Sequence, residues 1–530
     1  MDKGAAQWFL DRSERGNPAT RIQTSDADET SWSEGNLVRP LVHGATYFAR
    51  LHEELSALRP GDRVWFTDWR GDSDEQLLAD GPSIGDLLAE LARAGVEVRG
   101  LMWRSHGERI SAPISGRANI ELGRRVNDAG GEILLDQRVR LFGSHHQKFF
   151  VIRHRDDPSR DVAFVGGLDL SHSRRDDAAH EGDPQALRMD DRYGRRPPWH
   201  DASLELRGPV VSDLLAVFAE RWNDPTPLDH RTPYRMLLQR LADMPRHPKP
   251  LPETAPPPPA AGPHAVQVLR TYGPKRPPFP FAPEGERSVA RAYAKAFAQA
   301  RSFIYIEDQY FWSEQVAAGI AKALADNPGL QVIVVVPRYP DTDGPLIGPA
   351  GRLGQLRAIA QLHRAAPGRV GVFDLENEAG VPVYLHAKIC IVDDTWFTCG
   401  SDNFNLRSWT ADSELTCAVV GPAVGADSVE PADSVARDLR VQLWAEHLGV
   451  AADDLRLRDP AEGLALWTAS ADALDDWHVG GDAAGRPAGR VRRHTIEPVS
   501  RWQRLWAAPI RRLAVDPDAR PRPWRGTATF

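Results

Sequence analysis

Residues 384–394 read YLHAKICIVDD, a β-branched apolar run that opens on His386 and Lys388 and closes on Asp393 and Asp394. Ile389, Ile391 and Val392 predict a buried strand bounded by polar residues, so a cationic pair at its start needs a reason. Side chains alternate along a strand. His386 and Lys388 therefore share one face with Cys390 and Val392, while Ile389, Ile391 and Asp393 face the other way. The pair can converge on one anionic ligand, and Asp393 is expected to end the strand or to anchor nearby backbone.

The same arrangement occurs earlier. Residues 143–154, GSHHQKFFVIRH, place His146 and Lys148 where the later segment has His386 and Lys388, and each strand is followed by a glycine-led stretch, FVGGLDLSHSR or TCGSDNFNLRSW. The flanking elements also recur in order. TYFARLHEELSALRPGD then RVWFTDW matches RSVARAYAKAFAQARS then FIYIEDQYF, and SIGDLLAELARAG then VEVRGLMWR matches SEQVAAGIAKALADNPG then LQVIVVVPR. These are helix–strand pairs, with a serine near the helix start and a glycine after its end in the second set. A third helix and strand follow in each half.

This pattern predicts an α/β fold made by tandem duplication of an α/β sandwich unit, a mixed sheet covered by helices, with two lobes sharing one active site. The proline-dense stretch MPRHPKPLPETAPPPPAAGPHAVQV forbids helix and sheet interiors and marks the boundary. The expected organisation is an N-terminal extension (1–39), a first lobe (40–245), a Pro-rich linker (246–265), a second lobe (266–450) and a basic, Trp-containing C-terminal extension (451–530).

Composition narrows the class. A chain of 530 residues exceeds one ordinary core. Lys plus Arg total 65 against 73 Asp plus Glu, a net charge of −8, which argues against a dedicated nucleic-acid binder. The N-terminal sequence lacks a secretory apolar run and the later apolar runs are too short to span a bilayer, so a cytoplasmic protein, soluble or peripheral to a membrane, is expected. Cys390, Cys399 and Cys417 have no metal-ligand spacing and read as small core residues. No metal and no cofactor are expected.

Two His–Lys pairs brought together make a site suited to a phosphodiester. The lysines neutralise its oxygens and the charge that grows in a pentavalent transition state. One neutral imidazole can attack phosphorus while the other, protonated, donates to the leaving oxygen. Ser401 and Asn403 in GSDN are uncharged donors for the same oxygens. Asp201 in PPWHD and Glu414 in ADSELT sit at similar distances downstream of the motifs and are candidates to hold the imidazole tautomers. Trp69, Arg70, Arg104 and Arg338 lie at strand ends, where ligands of α/β sheets collect. The C-terminal stretch with Trp502, Trp506 and Trp524 is read as a strap packed across the lobes, with contact to an anionic membrane surface as the alternative.

The doubled HHQKFFVI…FVGGLDL and HAKICIVDD…CGSDN, with FIYIEDQYFW, PPWHD and DSE, resemble the phospholipase D superfamily, most closely its two-motif phospholipases, over about residues 40–450. The resemblance implies a phosphohistidine intermediate, hydrolysis or transfer of a phosphatidyl group, and site roles for His146, Lys148, His386, Lys388, Ser401, Asn403, Asp201 and Glu414. It also implies His146 as nucleophile and His386 as acid/base, an order that the near symmetry of the sequence leaves open. Asp169, Gly167, Gly400 and Asp393 are the supporting positions. The implied partners are a phospholipid at a membrane surface and a water or alcohol acceptor, with no nucleic acid, and a monomer suffices because the repeat completes the site. The alternatives are a phosphatidyl transferase of the cardiolipin-synthase kind and a non-catalytic phospholipid-binding relative. One departure stands out: Arg153 replaces the first-motif aspartate, and Asp156, Asp157 or Asp161 is expected to supply the missing anchor. Asp169, in the place of Asn403, would repel a phosphate unless neutralised. His145, opposite in parity to His146, is expected to pack rather than react.

Overall fold

The computed structural model describes residues 3–23, 30–105, 115–228, 237, 244–252, 256–341, 347–422, 434–480, 485–527 and 529–530. The first half contributes β1 (Ser33–Val42), β2 (Arg63–Asp68), β3 (Glu97–Trp103), β4 (Glu132–Asp136), β5 (Phe149–Arg153), β6 (Val162–Gly166), β7 (Trp199–His200) and β8 (Ala202–Arg207). The second contributes β9 (His264–Tyr272), β10 (Glu286–Arg287), β11 (Phe303–Glu307), β12 (Gln331–Val335), β13 (Val370–Leu375), β14 (Tyr384–Leu385), β15 (Ile389–Val392), β16 (Trp396–Gly400) and β17 (Ser413–Val420). β18 (Val491–Arg493) belongs to the C-terminal segment. The first strand already starts at Ser33, inside the segment read from the sequence as an N-terminal extension.

All but β7 and β14, which pair with each other, form one mixed sheet in the order β18-β13-β12-β11-β15-β16-β17-β9-β1-β8-β6-β5-β2-β3-β4, with β10 paired to β9 beside this path. From the β9–β1 junction outward the two halves run in the same order, β1-β8-β6-β5-β2-β3-β4 against β9-β17-β16-β15-β11-β12-β13. In each, the outer three strands are parallel and the rest antiparallel. The tandem duplication expected from the sequence is therefore present, with the two sheets fused into one. The junction is antiparallel, with Ser33 opposite Val266 and Asn36 opposite His264.

Helices cover both faces. One apolar layer runs through both halves: Trp65, Leu134, Phe149 and Val151 from the first, and Tyr305, Ile333, Phe373, Ile389 and Ile391 from the second. It lies beneath α4 (Val210–Trp222) and α8 (Val435–Leu448). On the opposite face each half has its own core, under α1 (Gly44–Ser56), α2 (Ile84–Arg93) and α3 (Ser115–Asp128) in one, and α5 (Ser288–Gln299) and α6 (Glu314–Asp326) in the other. Each large apolar side chain removed from water contributes about 1.5–3 kcal/mol, so the shared layer fastens the halves together. The three cysteines are buried and unpaired within it and its neighbour. Ser83 caps α2 by accepting the Asp86 N–H, whereas Ser313, at the start of α6, makes no such side-chain bond.

Beyond the repeat, β18 extends the sheet at β13, α9 (Gly463–Gly480) covers both, and α10 (Arg501–Ile510) packs on α7 (Ile347–Ala365). Most of this segment therefore lies on the second half. It reaches the first through Arg192 and Glu497, 2.6 Å apart. No helix among the described residues is long and apolar enough to cross a membrane.

Candidate active site

The two motifs share a break that alternation along one strand does not predict. His386 to Lys388 lie between β14 and β15, and His146 to Lys148 lie in the equivalent irregular stretch before β5. Each stretch seats its histidine on the other half. The His146 N–H donates to the Ser413 carbonyl (2.9 Å), and the Ser413 N–H to that of Ser144 (2.9 Å). β14 pairs in parallel with β7 of the first half, and the His386 N–H donates to the His200 carbonyl (2.8 Å).

The carboxylates cross the same boundary. His146 Nδ1–H donates to Glu414 Oε2 at 2.9 Å, and His386 Nδ1–H to Asp201 Oδ2 at 2.6 Å. Each half's imidazole is thus held by the other half's acid, both acids being fully buried. Glu414 heads β17, while Asp201 sits in the corresponding place, between β7 and β8.

The glycine-led segments set the space behind these acids. A Cβ on Gly400 would lie 2.2 Å from Thr416 Oγ1, so β16 and β17 close only around a glycine there. Gly167 and Ser401 are equivalent, their N–H groups donating to Ala202 and Leu415 carbonyls. A Cβ on Gly167 would lie 2.3 Å from Asp201 Oδ1, so the short acid occupies the room the missing side chain leaves. In the other half the longer Glu414 accepts the Ser401 hydroxyl at 2.5 Å. This corrects the reading of Ser401 as a phosphate donor. Its hydroxyl is buried, is spent on Glu414 and accepts the Leu415 N–H (3.0 Å).

Lys148 Nζ donates to the His146 carbonyl (3.0 Å) and lies 3.6 Å from Asp169. Lys388 donates to the His386 carbonyl and to Gln309 Oε1 (3.3 Å). Asn403 lines the cleft with its Oδ1 unpartnered among the described residues. Asp169, its counterpart, is neutralised in place: against the upward push of burial, Lys148 and Arg174 hold it well below the usual carboxylate range. Buried Asp68 beside it is pushed up, so the pair's proton rests on Asp68.

Burial, reinforced by both lysines, pushes His146 well below the ordinary imidazole value. Burial with Lys388 and Arg174 does the same to His386. Burial raises Asp201 above its usual range and Glu414 to about 7, and pulls Lys388 down to about 8. Without an anionic ligand both imidazoles are therefore neutral, which is the nucleophilic form.

His146, His386 and Glu414 open onto a cleft of about 580 Å³ between the halves, lined also by Trp69, Asp169, Arg174, Trp199 and Asn403 among others. Trp69 stands edge-on to His146 at 6.2 Å. Arg70 is ion-paired with Asp72 (2.8 Å), and Arg338 with Asp374 in an adjoining pocket. The Arg104 N–H donates to Asp136, and its neighbours Trp103 and Ser105 are the cleft-lining residues. Sequence reasoning missed Arg174, whose guanidinium lies 4.0 Å over the Trp199 ring and reaches Asp169 at 3.4 Å. Its repeat counterpart is Ser408, so the comparison of halves carried no charge signal. Asp412, two residues before Glu414, accepts the Ser144 N–H (2.8 Å) and lines the same cleft.

Asp393 stands clear of the cleft, as expected, although for a different reason. β15 ends at Val392, and Asp393 turns at φ +50°, accepting the N–H groups of Arg301, Ser302 and Phe303. In the first half the same seam is held by two other acids. Asp161 accepts the His154 N–H and pairs with Arg153, and Asp62 accepts the Arg155 N–H (2.8 Å). Of the three acids proposed to replace the anchor, Asp161 supplies it. His145 is buried, with neither ring nitrogen partnered among the described residues.

A profile described as "Phospholipase D" matches residues 70–271, and one described as "Cardiolipin synthase, PLD-like domain" matches residues 293–431. Phospholipase D alpha 1 of Vigna unguiculata is 26% identical over 80% of this chain and 67% of its own length, and that of Zea mays is 26% identical over 70% and 59%. The chain thus spans about six tenths to two thirds of these relatives. Among solved structures, phosphatidylserine synthase of Haemophilus influenzae superposes with a TM-score of 0.48 at 16% identity, covering 73% of this chain and 82% of that one. With one match in each half and one His–Lys motif inside each match, the chain belongs to the phospholipase D superfamily and carries two phospholipase D-type domains.

Proposed function

We propose that this protein hydrolyses glycerophospholipids to phosphatidate and free headgroup through a phosphohistidine, with transfer to an alcohol when one outcompetes water. The observation that carries the reading is the crossed pair of His–carboxylate couples, each histidine opening onto one cleft between the halves with a buried lysine two residues beyond it. His146 Nε2 attacks phosphorus, the bond to the headgroup oxygen breaks, and His386 Nε2–H gives that oxygen its proton. A phosphodiester anion offsets the lysine charge that depresses His386, so the imidazole takes up its proton as substrate docks. Water or an alcohol then attacks the phosphohistidine, His386 removes its proton, the P–N bond breaks and the phosphatidyl product leaves. Lys148, Lys388, Arg174 and Asn403 hold the phosphoryl oxygens.

The rim supports a lipid substrate. Leu141, Phe142, Ile347 and Leu513 are each more than half exposed and adjoin or belong to the cleft lining, an apolar edge suited to a membrane surface. Incubation with phosphatidylcholine vesicles and ethanol is expected to yield phosphatidate and phosphatidylethanol. Intact vesicle binding with no product from phosphatidylcholine, phosphatidylethanolamine or phosphatidylglycerol would overturn the proposal. The match of residues 293–431 to a cardiolipin-synthase description favours one second reading, transfer to the glycerol of another lipid. Phosphatidylglycerol alone separates the two, giving cardiolipin in the second case and phosphatidate in the first.

A further inference from the structure

Behind the cleft, four histidines and two glutamates meet where the halves join: His43, His180 and His200 from the first, Glu307, Glu446 and His447 from the second. The cluster meets the candidate site at His200. The His200 carbonyl accepts the His386 N–H, and His200 precedes Asp201.

Glu446 is the focus. Its Oε2 lies 2.7 Å from His43 Nε2, and its Oε1 lies 3.1 Å from His180 Nε2, 3.9 Å from His200 Nδ1 and 3.8 Å from His447 Nδ1. The far sides of the rings are committed. His180 Nδ1–H donates to the Trp199 carbonyl (3.1 Å), and the Nε2–H groups of His200 and His447 donate to Glu307 (2.8 and 2.9 Å). With the rings neutral and so oriented, His180 Nε2, His200 Nδ1 and His447 Nδ1 turn lone pairs toward the Glu446 carboxylate. His200 is fully buried and its Nδ1 has no hydrogen-bond partner among the described residues. At 3.9 Å from Glu446 it is beyond hydrogen-bond reach, whereas tetrahedral ligands about 2.0–2.1 Å from a shared ion stand about 3.4 Å apart, so loading would draw the two together by about 0.5 Å.

We infer that His43, His180, His200 and Glu446 form a structural binding site for a divalent transition ion of the zinc class, clamping the two halves together behind the cleft. Three imidazoles and one carboxylate are a donor set such an ion accepts in tetrahedral geometry, and the four ligand atoms already lie within 4.8 Å of one another. Glu307, on the far nitrogen of His200, is the outer carboxylate that orients a ligating imidazole. Other charges facing the cluster include Arg490, whose Nη1 stands 4.0 Å from Glu446, Asp176, 3.8 Å from His180 Nδ1, and Asp201, which acts on His200. The site is separate from the proposed chemistry and takes no part in its steps.

The test uses the full chain, stripped with a chelator and titrated with Co²⁺. Visible d–d bands of four-coordinate cobalt, saturating at one ion per chain and displaced by Zn²⁺, are expected, with a higher melting temperature for the loaded protein. Glu446→Gln and His180→Ala should each weaken Co²⁺ binding by about tenfold or more. X-ray absorption of the zinc-loaded wild type, which needs no variant to fold, should show nitrogen and oxygen neighbours with imidazole scattering. Absence of the cobalt bands, zinc scattering without imidazole, or undiminished affinity in both variants would each overturn the inference.

Discussion

The two halves solve the same problem with different parts. In one, Gly167 leaves a gap that short Asp201 fills. In the other, Ser401 stands at that position and steadies the longer Glu414. At the seam one half uses a single carboxylate, Asp393, on three N–H groups, while the other divides the task between Asp161 and Asp62 and places a guanidinium, Arg153, where the aspartate would be. What stays constant is a carboxylate oxygen at the imidazole Nδ1 and at the seam N–H groups. What varies is the side chain that delivers it, so duplication constrains geometry more tightly than residue identity.

The most severe break of this near symmetry is loss of either imidazole. His146→Ala and His386→Ala should each lower kcat by on the order of 10⁴-fold or more, measured as phosphatidate release. Rapid quench should trap a phosphoenzyme in His386→Ala but not in His146→Ala, and the reverse pattern would exchange the two roles. Next in size is the contrast at the equivalent glycine and serine. Gly167→Ala pushes a methyl group into Asp201 and should cost about 10²-fold in kcat, since a misplacement of about 1 Å carries that penalty. Ser401→Ala removes one hydroxyl and should cost about tenfold or less. Equal effects would show that the two acids are positioned alike.

A third test concerns charge. With Lys388 pulled down to about 8 by burial, the free site loses a cation as pH rises through that value, so kcat/KM should fall on the alkaline side from about pH 8. Below it the lysine is charged and this limb is absent. Lys388→Arg should move the limb upward by more than one unit if the variant is active, and an unmoved limb would assign it to another group. The smallest activity effects belong to the seams. Arg153→Ala leaves Asp161 buried without its partner and should destabilise by about 3 kcal/mol. Asp393→Ala should cost about 1–3 kcal/mol through the unmet N–H groups. Denaturant unfolding reads both, and kcat of the folded fraction should stay within about twofold of wild type.

The doubled His–Lys pattern, the helix–strand order and the two acids were legible because each has a local signature that repeats along the chain. The crossing of imidazoles and acids was not. It depends on how β7 meets β14 and how Ser144 meets Ser413, contacts between residues nearly two hundred or more positions apart that leave no periodic trace. Ser401 was misread for a similar reason: a hydroxyl beside a glycine turn can face a ligand or a neighbouring acid, and only the position of β17 decides. Arg174 escaped because its counterpart is uncharged, and the strand break at His386 because an apolar run shows where side chains are buried, not where backbone pairing changes partner.

The crossed seating of the histidines makes chemical competence a by-product of correct assembly. A nascent or proteolytically released half possesses a lysine and an imidazole but lacks the carboxylate that orients the ring, since that group is encoded in the opposite half. For a protein proposed to cleave bilayer lipids, this acts as a safety interlock: no half on its own bears a complete warhead, and the same docking that buries the shared apolar layer also arms the cleft.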